Sequence, residues 1–295
     1  MLVARFPLKT HEGGRSGWYR AQTETNNEER ITSFMWIDEL QRMRKERLIG
    51  QEIYYFQEID STNRKAQDQA RKAAREGTVV LADLQSEGKG RRGRVWESPP
   101  GVNLYASVIL RPHIPPVIAP QITLLAGVAI ANALARTSGL DLRIKWPNDI
   151  FLRGKKVAGI LSEMEAEGDR IRFIILGMGI NLNWRTANIP PNLRKIATSL
   201  GAETGKEIPR QLVAAEIFEE LEQKYKLFLQ EGFSPTLREE WNRLSWTRGK
   251  QVTLQLADQE ISGQALGLDT DGALLLLDEE GRTQRFIAGD VSLRV

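Results

Sequence analysis

Cysteine does not occur in this chain. Its absence removes thiolate nucleophiles, disulfides and thiolate metal sites, and it fits a reducing compartment, so the expected location is cytoplasmic. Histidine is nearly as scarce. The two present, His11 and His113, lie far apart in sequence, which argues against a histidine metal site or a Ser-His-Asp triad, and no protein-held metal is expected. A dominant charge of one sign is also missing. The 41 Lys and Arg against 38 Asp and Glu leave a formal net charge of +3, and a dedicated nucleic-acid binder shows a stronger or better segregated basic surface. The longest apolar run, Ile122 to Ala135, is too short to cross a bilayer and reads as a buried helix, and no secretory pattern opens the chain.

What is present is concentrated. Gly88-Lys89-Gly90-Arg91-Arg92-Gly93-Arg94 sets four cations on a backbone broken by three glycines. Like charges repel, and glycine loses more chain entropy on ordering than any other residue. Such a loop is either solvated or ordered by something strongly anionic, with backbone N–H groups and forked guanidinium donors as its recognition chemistry. Without a ligand, Lys89 to Val95 is expected to be mobile, because its charges have no partner. The Walker spacing is not present, and no G-x-G-x-x-G opens a helix after a strand. A second feature is Lys145-Trp146-Pro147-Asn148-Asp149. Pro-Asn-Asp is turn chemistry, but a lysine at the end of an apolar strand is costly unless it meets an anion. Asp60-Ser61-Thr62-Asn63 reads as a helix cap or as a cradle for a polar, uncharged group. Gly159 and Gly179 fall within strands, marking either close packing or close approach of a ligand.

The remaining pattern places these features. Residues 1 to about 33 carry no period and read as largely disordered, with Met35 opening a better patterned segment. Strands are expected over 51–59, 78–84, 103–110, 142–146, 156–163 and 171–181, and helices after Asn63 up to Gly77, over 118–138, from Pro209 to Gly232, and over 235–244. The stretch 184–205 reads as loop. From Gly249 short alternating segments separated by Asp271-Gly272 and Glu280-Gly281 suggest a small all-β barrel, with a boundary near 245–249.

In this order, the elements resemble the biotin protein ligases. The resemblance is carried by Asp60-Ser61-Thr62-Asn63, by Gln85 with Gly88 to Arg94 and Trp96, by Asn103-Leu104-Tyr105, by Lys145 to Asp149, by Lys156-Val157-Ala158-Gly159-Ile160-Leu161, and by Gly177-Met178-Gly179-Ile180-Asn181. It implies an α+β catalytic domain similar to class II aminoacyl-tRNA synthetases, with a mixed or antiparallel sheet and helices, plus a small SH3-like C-terminal barrel. The implied domains are a largely disordered or degenerate segment 1–47, a biotin- and ATP-binding domain 48–246 and the barrel 247–295. The implied reaction forms biotinyl-AMP from biotin and ATP with Mg2+, then transfers biotin to a lysine of a biotin carboxyl carrier protein domain.

By the same resemblance, Ser61, Thr62, Asn63, Gln85, Lys89, Gly90, Arg91, Lys145 and Gly159 bind biotin. Arg91, Arg92, Arg94, Trp96, Asn148, Asp149 and Asn181 bind the nucleotide, with Trp96 stacked on adenine. Lys145 and Arg91 are the catalytic pair. Lys89 stands where many members carry arginine, which keeps the charge and loses the fork. Some members carry an N-terminal helix-turn-helix and act as repressors. No triple-helix pattern precedes residue 48, so sequence-specific DNA binding is not expected, and Ile37 to Gln41 is at most a remnant. A lipoate ligase-like acyl transferase and a biotin-responsive repressor are the alternatives, and an exposed sheet edge offers a route to a homodimer.

Overall fold

Alternation along the strands decides which way each one faces. In the computed structural model, which describes residues 20–22, 36–43, 47–256 and 259–293, Tyr55, Leu81, Val108 and Leu176 join one buried cluster while their chain neighbours Phe56, Val80, Ile109 and Ile175 join another. A side-chain period of two does this: the four central strands that carry these residues offer an apolar face to each side of the sheet. Both faces must therefore be covered.

The sheet has eight strands: β1 (Arg20–Gln22), β2 (Ile53–Ile59), β3 (Val79–Gln85), β4 (Leu104–Leu110), β5 (Arg143–Lys145), β6 (Asp149–Leu152), β7 (Lys155–Glu167) and β8 (Arg170–Ile180). Their spatial order is β1-β2-β3-β4-β8-β7-β6-β5. The first two pairings are parallel and the rest antiparallel, so the sheet is mixed. A helix over 36–43 is α1, followed by α2 (Thr62–Arg71), α3 (Pro120–Ser138), α4 (Leu200–Thr204), α5 (Arg210–Glu231) and α6 (Pro235–Leu244).

The long helices α3 and α5 cover the larger face, where eleven residues of α3 are buried. Together with the turn before it, α3 spans 23 residues and is apolar and long enough by composition to cross a bilayer, longer than the run read from sequence. Yet 67% of its most apolar window is buried inside the molecule, which makes it a core helix. Gly139 ends it in the left-handed conformation at φ 72°, where glycine carries no Cβ penalty. The other face is only partly covered. There α2 sets Ala66 and Ala70 against Phe56, Val80, Ile109, Phe173 and Ile175. Beyond α2 this face is open, and the site lies there.

A second, five-stranded sheet has the order β12-β11-β10-β9-β13 and is antiparallel throughout. Its strands are β9 (Gln251–Gln255), β10 (Glu260–Leu268), β11 (Leu274–Leu277), β12 (Thr283–Phe286) and β13 (Asp290–Leu293). Four local features differ from the sequence reading. Residues 149–152 are a strand, although the Pro-Asn-Asp turn masked it. The loop-like stretch 184–205 contains α4, capped by Ser199, whose hydroxyl accepts from the Ala202 N–H at 3.1 Å. Helix α2 stops at Arg71, and Ala73 then adopts φ 60°, well before Gly77. Finally, α1 buries Trp36, Ile37 and Leu40 in the main core, where a remnant was expected, and 20–22 pairs with β2. Much of the segment expected to be disordered, together with His11 and Met35, lies outside the described residues.

Candidate active site

The strand register lines up one row of residues across the open face. Tyr105 pairs with Gly179, Gly179 with Gly159, Gly159 with Asp149, and Asp149 with Lys145. Paired residues share a face. The two central positions have no side chain, so the row is a trough with a cation and a carboxylate at one end. The indole of Trp96 lies in that trough: a Cβ built on Gly179 would come 2.4 Å from Trp96 Cε2, and one on Gly159 would come 2.9 Å from Cζ3. Lys156 Nζ sits 5.2 Å from the centroid of the same ring, within cation–π range.

Lys145 is half-buried, with Nζ 5.2 Å from the Phe151 ring centroid. Burial pushes its ammonium below the usual lysine range; Asp149 pulls it back, and Lys156 adds to the downward push. Asp149 is engaged by Lys156, whose Nζ lies 2.7 Å from Oδ1 at an angle outside hydrogen-bond geometry. An anion entering here would meet a lysine that lacks full charge compensation.

One row further along β4 and β8, Ser107 pairs with Gly177. Here the N-terminus of α2 meets the sheet and a chain of polar groups forms, neutral where it lines the cavity and ending on the Glu163 carboxylate behind it. Asn63 donates through Nδ2 to Glu163 Oε2 at 2.6 Å and to the Leu161 carbonyl at 3.2 Å. The Ser107 hydroxyl lies 2.7 Å from Asn63 Oδ1 and 2.8 Å from Thr62 Oγ1. Gln85 Oε1 accepts from the Thr62 N–H at 2.9 Å and from its hydroxyl at 3.0 Å, and Gln85 Nε2 donates to Ser98 Oγ at 3.1 Å. Ser61 holds the N-cap position of α2 with extended φ and ψ, but its hydroxyl makes no capping bond. Most of these groups are buried, which fixes their directions and favours a ligand that is polar and uncharged at this end.

The cationic loop closes over the pocket. Its backbone folds on itself through Gly90 N–H to Arg94 O at 2.7 Å and Trp96 N–H to Gly88 O at 2.9 Å. Arg91 Nη1 donates to Asn148 Oδ1 at 3.0 Å, while Asn148 Nδ2 donates to the Ile160 carbonyl at 2.8 Å. Contrary to the sequence expectation, the loop's charges do have a partner: the carboxylate of Asp290 lies within 3.5 Å of the guanidinium groups of Arg91, Arg92 and Arg94. That residue is far away in sequence, so counting charges near the loop missed it. Lys89 makes no ion pair among the described residues and lines the cavity.

The cavity so formed has a volume of about 460 Å3, in the range of small-molecule sites. Ser61, Thr62, Asn63, Gln85, Lys89, Gly90, Arg91, Arg94, Trp96, Lys145, Asn148, Asp149, Gly159 and Asn181 all line it. Arg92 does not; its guanidinium turns away to the Gln255 carbonyl at 3.4 Å. Two lining atoms are buried without a protein partner, Asn181 Oδ1 and Trp96 Nε1. Sequence reasoning passed over Ser107, Lys156 and Asp290. Ser107 carried a signal in being a hydroxyl inside an otherwise apolar strand. Asp290 carried none.

Comparison with known proteins places the chain in a family. Residues 55–181 match the model of the biotin/lipoate A/B protein ligase family, and residues 247–294 match the biotin protein ligase C-terminal domain. The chain is 40% identical to the bifunctional ligase/repressor BirA of Bacillus spizizenii over 249 residues, 84% of this chain and 76% of that protein. It is 33% identical to the biotin–[acetyl-CoA-carboxylase] ligase of Mycobacterium tuberculosis over 222 residues, 73% of this chain and 79% of that one. Among solved structures, it is similar to the biotin protein ligase of Aquifex aeolicus in complex with biotin and ATP. There the TM-score is 0.71 at 31% identity, covering 82% of this chain and 98% of the other.

Proposed function

This chain belongs to the biotin protein ligases, and from that membership we propose that it activates biotin with ATP as biotinyl-5′-AMP and transfers the biotinyl group to a lysine of a biotin-dependent carboxylase. The observation that carries the reading is the cavity's division of labour. One end offers fixed neutral donors and acceptors on α2, β3 and β4, and the other gathers Lys145, Lys156, Arg91 and Lys89. Biotin has this shape of polarity, a ureido ring at one end and a carboxylate at the other.

A carboxylate oxygen must attack the α-phosphorus of a polyanion, and the two repel each other. Lys145 at the end of the glycine trough holds the carboxylate, and Arg91 closes over the adenylate; positive charge fixed before the reaction is worth most in a dry site. The P–O bond to pyrophosphate breaks as the acyl–phosphate bond forms. In the second step the neutral amine of the carrier lysine attacks the acyl carbon, AMP leaves, and the amine loses its proton. We assign the nucleotide to Trp96, Asn148, Asp149, Asn181, Arg91 and Arg94, and not to Arg92, which faces away from the cavity. No cluster of three or more His, Asp or Glu residues suited to a metal occurs among the described residues. The neutral amides and the few carboxylates at that end, Asp149 and the arginine-paired Asp290, suit Mg2+ arriving with the phosphates, since this ion is ordinarily held by phosphates and few protein ligands.

The same reading extends to architecture and setting. Seven strands of the larger sheet and the helices α2 to α6 make up a class II synthetase-like domain over 48–246, with β1 and α1 added to it from the preceding segment, and the five-stranded antiparallel sheet forms an SH3-like barrel over 247–295, a reading the C-terminal family match supports. The cysteine-free composition supports the cytoplasm, and a formal charge of only +3 supports ligase action without sequence-specific DNA binding. The outer edge of β5 is itself bridged, Ile144 to Ser245 with Trp246 N–H donating to the Ile144 carbonyl at 2.8 Å, so that edge does not favour pairing of two copies.

ATP–pyrophosphate exchange tests the reading, run with biotin and then with lipoate. Lipoate's dithiolane has no hydrogen-bonding groups, so it would leave the buried chain from Asn63 to Gln85 unpaired; sites of this kind discriminate by roughly 10^4-fold or more. Exchange with biotin and none with lipoate is expected. Exchange with lipoate alone overturns the assignment.

A further inference from the structure

We infer that Glu163, on β7 behind the pocket, is a positioning residue that fixes the hydrogen-bond polarity of the neutral end, so that Asn63 and Thr62 face the ligand as acceptors and select a ring that carries N–H donors. The inference deepens the proposed ligase reading and rests on it for the identity of the ligand. What Glu163 does to Asn63 stands without it.

Glu163 pairs with Ile175 in the β7–β8 register, one row beyond Leu161 and Gly177. Ile175 belongs to the smaller apolar cluster, so an apolar side chain would suit the position. A half-buried carboxylate stands there instead. No lysine or arginine among the described residues pairs with it, and it does not line the cavity. Its hydrogen bond goes to Asn63 Nδ2 at 2.6 Å, which offsets part of the cost of withdrawing the charge from water.

The direction of this bond matters more than its strength. A carboxylate only accepts, so Asn63 must turn its NH2 group toward it. One N–H goes to Glu163 and the other to the Leu161 carbonyl at 3.2 Å, and both donors are spent. Oδ1 is thereby turned toward Ser107 at 2.7 Å and stands over Gly177, where a Cβ would come 2.0 Å from it. On the far side the Thr62 hydroxyl gives its proton to Gln85 Oε1 at 3.0 Å, which leaves Thr62 Oγ1 an acceptor as well. A single Ser107 proton faces these two acceptors. The lining is one donor short at this end, and a ligand ring with N–H groups supplies it. An amide at position 163 would impose no direction, because it accepts through one atom and donates through the other. The Leu161 carbonyl would still resist a turn of Asn63, but a neutral 3.2 Å bond is weaker than a charge-assisted one of 2.6 Å.

The test uses full-chain Glu163→Gln, which keeps the shape of the side chain and removes its charge. Calorimetric titration compares biotin with its two cyclic carbamate analogues, in which one ring N–H or the other is replaced by oxygen. Wild type should reject at least one carbamate by about tenfold or more. In Glu163→Gln the Kd for biotin should rise about tenfold, while the penalty of that carbamate shrinks to about twofold. The KM for ATP should not move. A carbamate penalty of equal size in wild type and variant overturns the inference, since a residue that only packs would weaken both ligands alike. So does an unchanged Kd for biotin, and so does wild type that takes both carbamates as well as biotin. Should the variant not fold, ligand-free wild type labelled with 15N-asparagine still decides. The Asn63 NH2 should give two well-separated proton resonances, both protected from exchange, and a merged, freely exchanging pair overturns the inference. Wild type that binds no biotin refutes the ligase reading, while the Asn63 resonances still judge Glu163.

Discussion

Gly179 lies beneath the indole of Trp96 so closely that a single added carbon would come within 2.4 Å of the ring. Position 179 belongs to a strand whose other residues are largely buried and apolar, and its missing side chain gives Trp96 its seat. Gly179→Ala should therefore unseat the indole without unfolding the sheet, because alanine suits a strand at least as well as glycine. We expect a KM for ATP raised by about five- to tenfold, the loss of one stacking contact of ~1–1.5 kcal/mol, with a nearly unchanged melting temperature. Pyrophosphate-exchange kinetics beside a thermal melt separate the two effects.

Gly177 should behave differently, although it sits only two residues away. A Cβ there would come 2.0 Å from Asn63 Oδ1, and Asn63 is buried and bonded to Ser107, Leu161 and Glu163. Pushing that amide aside leaves buried polar groups unpaired, at about 1–3 kcal/mol each. Gly177→Ala should lose both stability and biotin binding. Adding Asn63→Ala should recover much of the melting temperature and none of the binding, a non-additivity that urea denaturation and titration with biotin would read directly.

The contrast shows what was legible in the sequence. Strands and long helices followed from period and caps, because those signals are local. The glycines of β7 and β8 announced a close approach, but which group approached depended on register: Gly177 meets Asn63, and Gly179 meets Trp96. Lys145 stood out as a cation at an apolar strand end, while its neighbour Lys156 looked like an ordinary strand-start lysine. Asp290 was illegible because its partners lie almost two hundred residues earlier, and nothing in Gly-Asp-Val-Ser marks a receptor for three arginines. The place of helix α1 in the core was not legible, because a short amphipathic segment after a polar stretch gives no sign of the core it will enter.

Lys145 should set an alkaline limit on adenylation. Holding a carboxylate needs the ammonium form, and burial lowers its pKa in the free protein. The kcat/KM for biotin should accordingly fall at a pH below the ordinary lysine value of about 10.4. Lys145→Arg should carry that limb to higher pH, and Lys145→Ala should lower activity by orders of magnitude at every pH. Linkage gives a second sign. The folded protein binds this proton less tightly than the unfolded chain, so the group's penalty is full below the folded pKa and fades as pH rises toward the unfolded value. Lys145→Met should thus be at least as stable as wild type at neutral pH, which a denaturation midpoint would check.

Helix α1 should be required for folding. Ile37 and Leu40 are both 0% exposed and join the main core beside Tyr55, whose ring meets Trp36 edge-on at 5.8 Å. Truncating either side chain leaves a cavity, so Ile37→Ala or Leu40→Ala should destabilise by about 2–5 kcal/mol. A free, remnant helix would lose almost nothing. Chemical denaturation of the full chain distinguishes the two cases.

Ser107 offers the sharpest separation of binding from chemistry. It sits on β4 with its hydroxyl between Thr62 Oγ1 and Asn63 Oδ1, and its one proton can serve only one of them at a time. It touches neither Lys145 nor the loop arginines. Ser107→Ala removes the node that orients Thr62 and Asn63, and leaves the charged end as it was. The interaction lost is the same in the ground state and in the transition state, so KM for biotin should rise while kcat holds. A rise of about tenfold corresponds to a single hydrogen bond of ~1.4 kcal/mol. The KM for ATP should stay within error, because the nucleotide end of the trough lies in the next row of the sheet. If kcat fell and KM held, Ser107 would instead be acting on the transition state, and the division of the pocket into a neutral end and a charged end would be wrong.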